Sequence, residues 1–261
     1  MARRRLSICT ILVLLVSFFW MMQSVVLADG RSCTSVRING SSGWYPVSIF
    51  FEDTQKLEGL ALDVAREVFR RLEIPVTVEP KTPWKRMLKQ LRNGDLDILL
   101  GAYWTEERAL TYSYSDPIFK DEIAEFVPKG EEFPLDEFGD LIGRIGLRPM
   151  GGSYGEEFDR YAKANLFFHE SVEDFSLTLL GAGRADYVVL GRYDGIHQLR
   201  ETGELDRIVD LPWPVVSNNV HFMLSNISPC NSLLEDINKV IRDLHDEGFI
   251  KELEAQYLGD F

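Results

Sequence analysis

Asn93 to Arg108 reads NGDLDILLGAYWTEER. Asn93-Gly94 is a helix stop, because glycine takes the left-handed conformation that closes a helix without a Cβ penalty. Leu96 to Leu100 is an apolar run that meets Gly101, the sequence form of a strand buried on both faces. After a turn, Trp104, Thr105, two glutamates and Arg108 open the next helical segment. In open α/β sheets, ligands sit just past the carboxyl ends of such strands. Gly101 to Arg108 occupies that place with aromatic rings and a fixed guanidinium, which makes it the first candidate binding site.

Upstream, Val36 to Ile38 is a short strand, followed by the loop GSSGWYP (Gly40 to Pro46) with two large aromatics. Gly59 to Leu72 carries Leu60, Val64, Val68, Phe69 and Leu72 at helical spacing. Val76 to Val78 is the next strand, and Pro83 to Leu91 a helix opened by proline. Alternating strands and helices imply parallel pairing with right-handed crossovers.

Downstream, the chain passes Asp116-Pro117, runs through Ile118 to Val127 and enters the acidic loop EEFPLDEFGD. A second unit follows: a strand at Arg144 to Leu147, the turn RPMGGSYG, a helix from about Glu156 to Lys163, and another at Val172 to Leu180. It leads into GAGRADYVVLG, which repeats the opening stretch. Gly94 and Gly183 each end a helix; Asp97 and Asp186 follow three residues later; an aliphatic strand then reaches Gly101 or Gly191. Two halves of like design are expected. In the tail, Leu233, Leu234, Ile237, Val240, Ile241 and Leu244 share one helical face, with Gly248 as its stop.

The 261 residues are 45% hydrophobic and 26% charged, enough for one or two globular domains. Arg3, Arg4 and Arg5, the apolar run Ile11 to Trp20 and the small-residue site Val26-Leu27-Ala28 form a secretory signal over residues 1–28. The alternative is an uncleaved membrane anchor. Without those three arginines, 25 of the 28 basic residues face 41 acidic ones, a net charge of −16. Such a surface repels nucleic acid and anionic headgroups, so any anion is held locally. Beyond Cys9, Cys33 and Cys230 remain. In an oxidising compartment such a pair most simply forms one disulfide, tying the tail to the first half; two unrelated buried thiols are the alternative. The chain then crosses between halves twice, near Phe119 to Ala124 and near Val215 to Phe222. That makes a hinge.

In order, WYP, LEGLALDVA, PWKRMLKQLRNGDLDILLGAYWTEER, YSDP, GGSYGEEF and AGRADYVVLG resemble the family 3 extracellular solute-binding proteins, the amino-acid-type receptors of bacterial ABC transporters. The resemblance covers nearly the whole mature chain. It implies an α/β fold of the two-lobe periplasmic binding protein kind (type II), each lobe a mostly parallel sheet flanked by helices. The expected divisions are lobe 1 at 29–119 and 222–261, and lobe 2 at 120–221. It also implies a periplasmic monomer that captures a small-molecule solute for an inner-membrane ABC permease, with no catalysis, no cofactor, no metal and no nucleic acid. Residue by residue, Trp44 or Tyr45 matches the aromatic near the first strand, and Trp84 the ring that stacks on ligand. Gly101 and Tyr103 match backbone or hydroxyl contacts, and Arg108 the clamp on an α-carboxylate. Ser153 and Tyr154 match donors at the second-lobe helix start. Arginine forks fit carboxylates bidentately, and the amides after Ser153 would suit an anion.

Two positions depart from the pattern. Family members that bind α-amino acids carry an acid where Gly191 stands here, followed by Arg192 and Tyr193. Ala61 replaces the first acid of a Gly-Phe-Asp motif, while Asp63 is kept. Arg192, with Arg148, would then favour a solute bearing a second acidic group.

Several rival readings bear on function. The rival reading of Arg108 is a surface residue paired with Glu106 or Glu107, and Trp84 shares a helical face with Leu88 and Leu91 as a core residue would. GGSYG matches the Gly-x-Ser-x-Gly nucleophile elbow, but Arg148, Pro149 and Met150 separate it from its strand; His221 and His245 are the downstream histidines. The four histidines show no metal-ligand spacing. A sensory module for a signalling partner is the other non-enzymatic reading.

Overall fold

The computed structural model describes residues 33–171 and 175–259. The expected signal segment, and residues 172–174 of the helix expected at 172–180, lie outside the described residues. The first half runs β1 (Val36–Gly40), β2 (Gly43–Trp44), β3 (Ser48–Phe51), β4 (Lys56–Glu58), α1 (Leu60–Arg71), β5 (Val76–Val78), α2 (Trp84–Asn93), β6 (Ile98–Tyr103) and α3 (Glu106–Ala109). The 17-residue strand β7 (Tyr112–Pro128) leads to β8 (Ile145–Pro149), α4 (Glu156–Asn165), β9 (Phe167–Ser171), α5 (Ser176–Gly181), β10 (Tyr187–Gly191), α6 (Arg192–Thr202) and β11 (Ile208–Asp210). The long strand β12 (Val216–Ser225) returns the chain, which ends in α7 (Leu234–Asp246) and α8 (Phe249–Leu258).

One sheet runs through the whole, ordered β5-β1-β6-β12-β7-β10-β8-β9, with β11 also beside β7. Its flanks are parallel, β5-β1-β6 on one side and β10-β8-β9 on the other. The sheet is mostly parallel within each half, as expected, and at its centre β12 and β7 run antiparallel to each other and to β6 and β10. These are the two crossings between halves. Their register shifts between Val220 and Met223, opposite Pro117, whose missing N–H interrupts the ladder there.

The repeated Gly–Asp–strand device is one structure built twice. Asp97, just before β6, accepts the Arg37 N–H of neighbouring β1 at 2.8 Å. Asp186, just before β10, accepts the Ile145 N–H of neighbouring β8 at 2.6 Å. Each aspartate thereby fixes which parallel strand its own strand joins. Asp97 also takes the Arg37 guanidinium, at 2.9 Å, and the Ser228 hydroxyl. Burial raises its carboxyl, but the Arg37 and Ser228 bonds outweigh that and hold it below the usual range.

The amphipathic face of α1 buries Leu62, Val64, Val68 and Phe69; each such side chain contributes about 1.5–3 kcal/mol. The tail helix α7 buries Ile237, Val240, Ile241 and Leu244 and packs on α1 and β7. Cys33 and Cys230 form a disulfide that pins the tail to the start of β1. A small antiparallel sheet, β2-β3-β4, begins inside the expected loop Gly40 to Pro46 and continues through a stretch given no element from sequence. No helix among the described residues is long and apolar enough to cross a membrane.

Candidate functional site

Strand β6 delivers Ala102 and Tyr103 to its carboxyl end; β8 ends at Pro149 and β10 at Gly191. These three ends converge on a cavity of about 100 Å³, roughly the liquid volume of three waters. The first half contributes Trp44, Trp84 and Arg108 as further walls, and the second Ser153, Tyr154 and Asp194. A wider cleft of about 1060 Å³ shares Arg108, Gly152 and Ser153 with it.

Arg108 is carried by the short helix α3, whose cap, Thr105, accepts the Arg108 N–H at 3.2 Å. Its guanidinium donates to the Tyr103 carbonyl at 3.3 Å and lies 5.8 Å from the Trp84 ring centre. It forms no ion pair with Glu106, Glu107 or any other carboxylate among the described residues. Trp84, at the first turn of α2, is half-buried and lines the cavity. Its indole N–H is buried without a partner.

Trp44 and Tyr103 meet edge to face, 5.0 Å between ring centres. Both donate to the same carboxylate oxygen, Oδ2 of Asp121, at 3.0 and 2.6 Å. Gly101 is behind them at φ +87°; a Cβ there would lie 2.5 Å from Val47 and 3.1 Å from the Trp44 ring. Only glycine lets the indole approach so closely. Gly101 thus shapes the wall without lining the cavity.

Tyr154 is 6% exposed, and its hydroxyl donates to the Val189 carbonyl at 2.7 Å. Its N–H donates to Asp159 at 3.1 Å, and the Ser153 hydroxyl bonds the same carboxylate. The Ser153 hydroxyl and the Tyr154 N–H and hydroxyl, expected to receive an anion, are therefore occupied. Glu156, Glu157 and Asp159 in the first turn of α4 further disfavour one. Ser153 is not bonded to histidine: His221 and His245 bond the carbonyls of Ser115 and Pro117.

Two expected residues are placed away from the cavity. The Arg192 guanidinium is taken by Asp210 and Glu122 and by the Leu211 carbonyl. Tyr45 stacks on His197 at 4.3 Å, and its hydroxyl bonds the Tyr257 carbonyl. Arg148 pairs with Glu170 over Phe168. A second acidic group on the solute thus finds neither of the arginines assigned to it.

Sequence reasoning missed Asp194 and Asp121. Asp194, in the first turn of α6, is 5% exposed. One oxygen accepts the Tyr45 N–H and the other the Gln198 amide, each at 3.0 Å. Asp121, on β7, is fully buried, and burial lifts its carboxyl to about 6 against the opposing pull of the Tyr103 and Trp44 bonds. No cluster of metal-ligating side chains exists among the described residues.

Residues 36–260 match the profile of the bacterial extracellular solute-binding proteins, family 3. The chain is 22% identical over 225 residues to the L-cystine-binding protein TcyJ of Escherichia coli K12, covering 84% of this chain and 81% of that protein. It is 24% identical to the probable amino-acid-binding protein YxeM of Bacillus subtilis, covering 83% and 81%. Among solved structures, a mutant of the arginine-binding protein ArgBP of T. maritima superposes with a TM-score of 0.74 at 22% identity, covering 87% of this chain and 96% of that one. A histidine kinase sensor domain similar to periplasmic binding proteins gives 0.74 at 21% identity, covering 87% and 97%. With its two sheet halves, double crossing and interposed cavity, the chain belongs to family 3 of the bacterial extracellular solute-binding proteins.

Proposed function

We propose that the protein captures a small amino-acid-like solute between two hinged lobes, in the periplasm after signal cleavage, and hands it as a monomer to an ABC permease. The lobes are residues 29–119 with 222–261, and 120–221. The observation that carries this reading is Arg108, a guanidinium without a carboxylate partner, at the wall of a cavity whose far side holds buried Asp194. Arg108 clamps the solute carboxylate as a bidentate fork. The aromatic walls of Trp44 and Trp84 cover the solute's apolar part, and the acidic side receives its amine. The relatives' names, cystine-binding and amino-acid-binding, support the same class.

The fold likeness to a kinase sensor domain keeps one other use in view, delivery of the closed lobes to a signalling partner. Both uses share the same site. A thermal-shift screen of amino acids, dicarboxylates, amines and short peptides tests the class, since a solute bound only to the native state raises the melting temperature. Amino acids are expected to stabilise the protein, and Arg108→Ala to remove the effect. Stabilisation by amines that carry no carboxylate would refute the reading.

A further inference from the structure

Asp121 is a carboxylate buried at the middle of the protein, 0% exposed, on the crossing strand β7. The groups that touch it are walls of the cavity. Trp44 and Tyr103 donate to its Oδ2, and a Cβ built on Gly191 would stand 2.7 Å from that oxygen and 3.3 Å from the other. Any side chain at position 191 would therefore collide with this carboxylate, which takes the space that residue 191 leaves empty. Its Oδ1 is buried and has no hydrogen-bond partner. A carboxylate oxygen removed from water and left unpaired costs more than the average hydrogen bond contributes, so such groups call for an explanation.

Asp194 lines the cavity, and each of its oxygens has one protein donor. The carboxylate oxygen beside the cavity that has none is Oδ1 of Asp121. We propose that Asp121, reached past the side-chain-free Gly191, holds the ammonium group of the solute. This assignment rests on the amino-acid reading above and makes Asp121 the residue that selects amines. The carboxyl titrates near 6, so it is ionised at neutral pH and half protonated one step into the acid range. The titratable groups in its field are Glu122 beside it, Tyr103 on β6, Tyr154 ahead of α4, and Tyr193 and Asp194 on α6. The three tyrosines are all raised above their ordinary value, by burial first, and so do not titrate in this window.

The experiment is calorimetry with the twenty standard L-amino acids and L-cystine, the tightest binder being paired with the carboxylic acid that lacks its α-amino group. Asp121→Asn keeps an acceptor for Tyr103 and Trp44, so the fold is retained, and a melting curve records that. It is expected to weaken the amino acid at least tenfold and leave the des-amino acid unchanged. The double variant Asp121→Ser with Gly191→Asp, which returns an acid from the other strand, is expected to regain most of the loss. Wild-type affinity is expected to fall about tenfold from pH 7.5 to pH 5, as protonation below 6 removes the anion, and Asp121→Asn to lose that dependence. Equal losses for both ligands, an unchanged Asp121→Asn, or a double variant that regains nothing would overturn the proposal. If Arg108→Ala abolishes both ligands while Asp121→Asn binds normally, the solute reading stands and only this assignment falls. A wild type that binds none of the panel overturns both.

Discussion

Glu125 lies four residues beyond Asp121 on β7, 0% exposed, with neither carboxylate oxygen hydrogen-bonded. Burial lifts its carboxyl from 4.5 to about 8, and the attraction of Arg192 offsets only part of that. The folded protein therefore binds this proton more tightly than the unfolded chain. The stabilisation is complete below about pH 4.5 and is lost as pH rises towards 8, because stability falls wherever the native state holds the extra proton. A displacement from 4.5 to about 8 corresponds to about 5 kcal/mol in full, of which about 3 to 4 kcal/mol falls between pH 5 and pH 8. Glu125→Gln keeps the shape and removes the titration. In urea unfolding at pH 5, 6.5 and 8, the stability difference between Glu125→Gln and wild type should move by about 3 to 4 kcal/mol in favour of the variant. Asp121 titrates in both proteins and cancels from that difference. Two stability profiles that run parallel from pH 5 to 8 would refute the argument, whatever their absolute separation.

Three further outcomes follow from the same structure. Arg108→Ala should weaken amino-acid binding by about 1.5–3 kcal/mol, the worth of a charge-assisted hydrogen bond, read as a 10- to 150-fold rise in Kd by calorimetry. Replacing Cys33 and Cys230 by serine opens a loop spanning 197 residues; urea melts should show a loss of about 2–5 kcal/mol with the solute affinity retained. Gly101→Ala forces a Cβ to within 2.5 Å of Val47 at a φ of +87°. It should lower stability by about 1–3 kcal/mol and shift the Trp44 fluorescence, because the backbone strain and the close contact add.

The parts of the fold that show in the sequence are those where one residue does one local job. Gly94 closes α2 in the left-handed conformation, and Asp97 and Asp186 mark their strands by bonding the neighbouring strand's N–H. The strand expected from Leu96 starts at Ile98 because Asp97 is spent on that bond and the ladder begins after it. What stays hidden depends on distant partners. YSYSDPIFKDEIAEFVP mixes charge, proline and apolar residues, and it becomes one long strand only because β12, β10 and β11 pair with different stretches of it. RYDGIHQLRET carries a glycine in mid-helix and a weak apolar stripe; Gly195 is there because a Cβ would lie 2.1 Å from the Phe126 ring. The sequence expectation assigned no element to that stretch and no role to Asp194, although a glycine followed by an acid in the first turn is a legible helix start. Arg192 was read into the site for its position after Gly191, but the Asp210 and Glu122 carboxylates and the Leu211 and Pro212 carbonyls hold it elsewhere.

Hydrogen bonds around the cavity and the adjoining cleft explain why its selectivity does not follow from net charge. Tyr45 N–H reaches Asp194, Trp44 reaches Asp121, and Glu106 N–H reaches Glu156, each at 3.0 Å. A solute that merely replaces these bonds adds nothing to closure, since only differential contacts shift the balance between open and closed forms. Affinity must come from valences that the protein's own groups leave open. On one side these are donors, the Trp84 indole N–H and the remaining N–H groups of Arg108. On the other is an acceptor, Oδ1 of Asp121. A dicarboxylate fills the first set and brings a second anion towards a buried acid, while an amine without a carboxylate fills only the second. A zwitterion meets both at once, which is why an amino-acid-like solute closes this cleft more firmly than either half of itself.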